Sequence, residues 1–232
     1  MKPLKSEAQD NQTLQELGRA SVQIVHDLKN QLNGLKLYAT FLRKRMEKSE
    51  RPEDERETIA KLIAGLERAA GDMTILVRYG RPLELRRQPH VDLRKILNII
   101  AAGEEARERI KLETESALVE GEFDSAAITE ALKAITSGAL NMRGAGNNAF
   151  ALPLQIHLRR DESAFGPQAL IEWRGVQSTN GSDPFQSFAG SDGLRLSLAA
   201  KIIKAHGGEV SNDAESLSVR LPLQNNERSN DA

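Results

Sequence analysis

Apolar residues recur at alternating three- and four-residue steps through the first third of the chain, the spacing of one helix face. The pattern predicts a long helix from about Thr13 to Lys48, free of proline and with Gly18 and Gly34 as its only internal glycines. Its apolar seam runs through Leu17, Ile24, Leu28, Leu35 and Leu42, with Ser21, Gln31 and Tyr38 at the intervening steps. Ser49-Glu50-Arg51-Pro52-Glu53-Asp54 reads as a turn whose proline and acids suit the start of a following helix. That second helix, from about Glu55 to Arg78, repeats Ile59, Leu62, Ile63, Leu66, Ala69, Ala70, Met73, Leu76 and Val77 at the same spacing. Two long amphipathic helices and a short loop make an antiparallel hairpin, over residues 13–79. One hairpin cannot bury two such stripes. Either a second copy closes a four-helix bundle, or the C-terminal half covers them. The length of the helices favours the homodimer.

The periodicity breaks at residues 80–90, where two prolines mark a linker. Asp92 then reads as the N-cap of a helix with Leu93, Ile96, Leu97 and Ile100 inward. Strands are expected at Ile110–Glu115, Ala117–Glu120, Leu152–Arg159, Gln168–Arg174, Glu209–Ser211 and Ser216–Leu223. Helices are expected over Ser125–Asn141, capped by Asp124, and over Leu194–His206, stopped by Gly207-Gly208. The fold class is therefore α+β: a helical hairpin followed by an α/β sandwich over residues 91–223, with helices on one face of a mixed sheet. Residues 1–12 and 224–232 are polar and expected to be loose ends.

Composition narrows the field. The 232 residues carry a formal net charge of −1, which gives no electrostatic case for nucleic acid or an acidic membrane surface. There is no cysteine, so disulfides and thiolate metal sites are excluded. No apolar run approaches the roughly 20 residues that span a bilayer, and the N-terminus has no apolar signal core. A cytoplasmic protein is expected.

The candidate chemistry lies in Val22–Leu35. Asn30 and Asn33 each fall within about 40° of His26 on a helical wheel, with Lys29 at the edge of the stripe. His26 stands two residues from both Ile24 and Leu28, which places it opposite the seam and toward water. An exposed imidazole beside a carboxylate can act as a nucleophile when the acid holds the other ring nitrogen's proton, here Asp27. Asn30 would orient a water or phosphoryl oxygen, and Lys29 would pair with phosphoryl charge. Val22 and Leu37 lie near this stripe and, with Asn33, form a candidate docking surface. A lone histidine on a helix surface among polar neighbours would read the same way, so the case rests on its context.

The His26-Asp27-Leu28-Lys29-Asn30 motif, the hairpin, the linker ending in Val91-Asp92-Leu93 and the α/β order that follows resemble two-component histidine kinases over residues 13–223. The resemblance implies that His26 is the phosphoacceptor of a dimerisation and phosphotransfer bundle, that Asp27 acts as base, and that Asn30 serves dephosphorylation or positioning. The second domain resembles the family's ATP-binding domain with its ATP chemistry removed. The asparagines of the family's Asn-Leu-x-x-Asn-Ala box fall at Ala134 and Gly138, which offer no oxygen to magnesium. After Ile171-Glu172-Trp173 the family's Asp-x-Gly-x-Gly is replaced by Arg174-Gly175-Val176-Gln177-Ser178. Pro184-Phe185-Gln186-Ser187-Phe188 resembles the Phe-x-x-Phe box. Of the Gly-x-Gly-Leu-Gly-Leu box only Gly193 survives among the glycines, with Arg195 bulky where backbone would approach phosphate. Ala199–Gly208, ending Ala205-His206-Gly207-Gly208, keeps the structural helix and turn.

A histidine without an ATP site must take its phosphoryl group from elsewhere. The resemblance thus implies a dimeric histidine phosphotransferase moving phosphate between receiver-domain aspartates of response regulators or hybrid kinases, with Mg²⁺ held by the receiver and no cofactor on this chain. The alternatives are a divergent kinase or phosphatase using ATP, and a non-catalytic pseudokinase scaffold that binds a response regulator. Trp173, Phe185 and Phe188 are expected in the core, and His90, His157 and His206 receive no functional role.

Overall fold

The computed structural model describes residues 25, 28–44, 46, 53–103, 109–115, 119–143, 153–163, 166–177, 183–188, 190–213 and 215–224. The chain divides into two compact units, Met1–Pro82 and Leu83–Ala232.

In the first unit, helix α1 covers residues 28–44, with 25 and 46 also helical, and α2 runs Glu53–Gly80. The two are joined across the hairpin by Lys36 Nζ and Glu67 Oε1 at 2.8 Å. That ammonium holds the Glu67 carboxyl below its ordinary range, chiefly through the hydrogen bond and then through its charge. Among the less exposed residues of α1, Val25, Lys29, Leu32, Lys36, Ala39, Thr40 and Met46 share one face at helical spacing, and Gly34 lies off it. Ala39 on α1 and Ile63 on α2 are the buried apolar residues of this unit among those described.

This is not the seam expected from hydropathy. Leu28, Leu35 and Leu42 are 41%, 55% and 53% exposed, and Tyr38 and Leu62 are exposed with them. The physical reason is that α1 carries two apolar-compatible stripes. The stripe that faces α2 centres on Ala39, with Lys36 on the same side reaching the Glu67 carboxylate. A hydropathy ranking scores that stripe low.

The second unit opens with a two-stranded ribbon, β1 (Gln88–Asp92) antiparallel to β3 (Glu120–Phe123). Its main sheet has five strands in the order β2-β4-β5-β7-β6: β2 (Ile110–Thr114), β4 (Leu154–Ser163), β5 (Gly166–Arg174), β7 (Ser216–Pro222) and β6 (Glu209–Asn212). The β2–β4 pair is parallel and the other pairs are antiparallel. Register aligns Ile156, Trp173 and Leu217 in one row and Leu158, Ile171 and Val219 in the next, all buried. The alternate residues of the same strands, His157, Glu172 and Ser218, form a polar row on the opposite face. The period-two alternation therefore sets a single core face. Onto it pack the apolar residues of α3 (Leu93–Ala101), α4 (Ser125–Asn141) and α5 (Gly190–Ala205). Asp92 caps α3 by accepting the Arg94 and Lys95 amides, and Asp124 caps α4 by accepting that of Ala127.

Three elements differ from the sequence expectation. Residues 88–92 are a strand, not the end of a linker: Pro89 and His90 sit at a bulge where the register shifts, with His90 at φ +59°. Strand β3 lies at Glu120–Phe123, past the expected Ala117–Glu120, and Gly121 falls inside it because a Cβ there would run into the Phe123 ring. Helix α5 starts at Gly190, earlier than the glycines of that segment suggested. The expected helix start near Thr13 and the loose ends at 1–12 and 225–232 lie outside the described residues.

Candidate functional site

Val22, His26 and Asp27 lie outside the described residues. Lys29, Asn30, Asn33 and Leu37 all lie on the helical backbone of α1. Asn30, Asn33 and Leu37 are exposed along one stripe, and Lys29 is half-buried toward the hairpin seam. Phe41, one turn past Leu37 and 60% exposed, extends the stripe and was not singled out from the sequence. Its signal was available: a four-residue step from Leu37, about 40° round the helix, and about 100–120° from Leu42 and Leu35. The open face of α1 thus has two apolar strips. One is Leu28, Leu35, Leu42 and Tyr38; the other is Leu37 and Phe41 beside the two asparagines, the two adjoining where Phe41 follows Tyr38 by one turn.

The second candidate region lies where α4 meets α5. Ala134 is half-buried and Gly138 is fully buried. A Cβ built on Gly138 would stand 2.9 Å from Leu196 Cδ2 and 3.0 Å from Cδ1, and Leu196 is itself only 1% exposed. A Cβ on Gly193 would meet the Ser187 carbonyl oxygen at 2.7 Å, so this glycine is required by packing against the preceding loop. The same carbonyl accepts a hydrogen bond from Ser197 Oγ at 2.9 Å. Asn141 Nδ2 donates to Asp192 Oδ2 at 3.0 Å, joining the end of α4 to the first turn of α5. The Asp192 carboxylate thus occupies the positive end of the α5 dipole, the place where a helix would otherwise attract a phosphate.

The loop after β5 is tied down as well. The amides of Gly175 and Val176 donate to the Glu215 carbonyl, and that of Gln177 donates to Met142. Phe185 is buried in a turn where Asp183 accepts its amide at 3.0 Å. Phe188 is half exposed, so of the two phenylalanines only Phe185 is core as expected. Trp173 is fully buried, its indole N–H donating to Thr136 Oγ1 at 2.9 Å. Among the described residues no group of three or more His, Cys, Asp or Glu side chains converges to hold a metal ion, and no helix is long and apolar enough to cross a membrane.

No protein-family model and no curated protein matches the sequence. Solved structures do match. ShkA, solved full-length in complex with AMPPNP, superposes with a TM-score of 0.62 at 17% identity, over 86% of this chain and 44% of ShkA. The chain therefore spans less than half of that protein's length. Histidine kinase ThkA, solved in complex with response regulator protein TrrA, gives 0.57 at 17% identity over 97% of this chain and 67% of its own. Acinetobacter baumannii histidine kinase AdeS gives 0.52 at 15% identity over 82% of this chain and 96% of its own. At these identities the likeness establishes the fold: an α+β, histidine-kinase-like architecture.

Proposed function

We propose that this chain is a histidine phosphotransferase of a two-component phosphorelay, passing a phosphoryl group between receiver aspartates through His26. What supports the reading most is the contrast within the second unit. The kinase-like fold is retained, while Leu196 packs against Gly138 and Asp192 stands at the start of α5, where a nucleotide's metal and phosphates would have to be met. A carboxylate at that helix start disfavours a phosphate, and Ala134 and Gly138 offer magnesium no side-chain oxygen.

In the forward step a neutral nitrogen of the His26 imidazole forms a bond to the phosphorus of an acyl phosphate. The bond from phosphorus to the aspartyl oxygen breaks, and the carboxylate leaves with the electron pair. Asp27 accepts a hydrogen bond from the other ring nitrogen and offsets the positive charge the ring acquires. Asn30 orients a phosphoryl oxygen and Lys29 offsets its charge. The reverse step hands the group to a second receiver. Mg²⁺ belongs to the receiver in this scheme, and no cofactor to this chain.

The receiver docks on Val22, Asn33 and Leu37, with Phe41 extending the patch. Homodimerisation is supported by the strip of Leu28, Leu35 and Leu42 with Leu62 of α2, which the hairpin leaves uncovered. Covering it with a second copy gives the four-helix bundle.

One observation favours a second reading, a divergent ATP-dependent kinase: the fold match to a protein solved with AMPPNP. The two are separated by incubating the full chain with a phosphorylated receiver or with labelled ATP, alongside His26→Gln. The proposal expects acid-labile label from the receiver on wild type, none on His26→Gln, and none from ATP alone. Label from ATP alone establishes the kinase reading.

A further inference from the structure

The residues that carry the chain into the second unit, Leu83–Gln88, are gripped at two points. The Arg86 amide donates to Asp124 Oδ2 at 2.8 Å, and the Arg87 guanidinium donates to the Ala205 carbonyl at 2.6 Å. These two anchor points are the N-cap of α4 and the last residue of α5, 81 positions apart in sequence (205 − 124). One side chain bridges them. His206 is 1% exposed; its Nδ1 lies 2.8 Å from the Ile202 carbonyl, and its Nε2 lies 3.0 Å from the Asp124 amide. A carbonyl can only accept and an amide can only donate, so the ring must be neutral with its proton on Nδ1. Phe123 packs edge-on against it, with ring centroids 5.9 Å apart.

We propose that His206 is a proton-sensitive latch on this connector: neutral, it holds Asp124 in the position that grips Arg86; protonated from solvent, it releases that grip. A proton on Nε2 would point at the Asp124 N–H, donor against donor, and the loop must shift to relieve the clash. The Asp124 carboxylate that accepts the Arg86 amide moves with that loop. The charged groups facing the ring from the elements packed on it are Arg87, on the connector, and Asp124, at the start of α4. Arg87 opposes a second positive charge and Asp124 favours one. Burial, the largest influence, lowers the His206 pKa from its ordinary 6.5. The sign follows by linkage. The opened state takes up a proton below about pH 6.5 more readily than the latched state does, so latching weakens as pH falls through that value toward the depressed one. The inference does not depend on the phosphorelay reading, because no part of it involves α1.

The test is amide exchange on the full chain between about pH 7.5 and pH 5, corrected for the intrinsic rate. The protection of the Arg86 and Asp124 amides is expected to fall progressively below pH 6.5, by up to about thirtyfold at pH 5, while that of the β4–β5 amides holds. In His206→Gln, whose amide oxygen can replace Nε2 as an acceptor without titrating, protection should stay level. Trp173 fluorescence verifies that the variant is folded. If that variant does not fold, NMR titration of the wild-type imidazole decides, with the Arg86 amide expected to change along the same curve. Parallel profiles in wild type and variant, joint loss of protection across β4–β5, or a ring titration that leaves the Arg86 amide unmoved would each overturn the latch.

Discussion

Leu196 occupies the space into which any side chain on Gly138 would have to project: a Cβ there would come within 2.9 Å of its Cδ2. The two residues belong to different helices, α4 and α5, and the missing side chain is what lets them close on each other. Placing at Gly138 the asparagine that the resemblance to histidine kinases would put there is therefore expected to disrupt packing, not to supply a metal ligand. Gly138→Asn should cost about 1–3 kcal/mol, the usual range for overpacking a filled core. A urea titration followed by Trp173 fluorescence reads this directly. On the proposed reading, calorimetry with ATP and magnesium should show no binding to either the wild type or the variant. A stable Gly138→Asn protein that binds ATP would count against a groove closed by Leu196.

How much of this could be read from the sequence depends on which physical signal each residue carries. The caps Asp92 and Asp124 were legible because a short acceptor before an apolar-periodic run has few other uses. The core strands were legible from strict alternation, as in Leu154, Ile156 and Leu158. Strand β1 was not, because Pro89 and a positive-φ His90 look like breakers and only the bulge reconciles them with pairing. The stripe of α1 that packs within the hairpin was not legible, because Ala39 is small and the Lys36 bond to Glu67 is not counted by hydropathy. On α1, the exposure of Asn33 and Leu37 on one stripe was legible from spacing. The tie between Asn141 and Asp192 joins residues 51 apart, a pairing no local pattern reveals.

Trp173 and Thr136 form a hydrogen-bonded pair inside the core of the second unit, and the Thr136 hydroxyl in turn donates to the Leu132 carbonyl at 2.8 Å. Thr136→Val keeps the shape but leaves the indole N–H buried without an acceptor, a loss of about 1–3 kcal/mol. Adding Trp173→Phe removes the stranded donor but opens a cavity. The double variant should therefore lose less than the sum of the two single losses. A double-mutant cycle in urea, followed by circular dichroism since the tryptophan is gone, should give a coupling of about 1 kcal/mol. Strict additivity would mean that the bond contributes nothing to folding.

Gly34, Gly65 and Gly71 sit inside the hairpin helices with nothing within 4 Å of a Cβ built on each. Alanine at such a position should stabilise a helix by about 0.5–1 kcal/mol through reduced backbone entropy in the unfolded chain. Thermal melts of Gly34→Ala and Gly71→Ala by circular dichroism should therefore shift upward. A downward shift at one position would locate a surface where a second copy approaches too closely for a methyl group.

The two apolar strips on α1 make separable predictions because they lie on different sides of one helix. Leu35 and Leu42 belong to the strip assigned to the second copy, Leu37 and Phe41 to the strip assigned to the receiver. A leucine taken from half exposed to buried contributes on the order of 1 kcal/mol, and in a dimer every substitution counts twice. Leu35→Glu with Leu42→Glu also places carboxylates in a dry seam, so the combined effect should exceed several kcal/mol. On the proposed dimer, analytical ultracentrifugation should find the wild type dimeric and this variant monomeric. Leu37→Glu with Phe41→Glu should keep the dimer mass and the melting temperature but slow phosphoryl transfer from a receiver by at least about tenfold, since anchors of this size usually carry 1 kcal/mol or more of a contact. If both variants lost the dimer, the two strips would be one interface. If the Leu37 and Phe41 changes left transfer untouched, the receiver would have to dock elsewhere on the hairpin, and the stripe of Asn30 and Asn33 would lose its role with it.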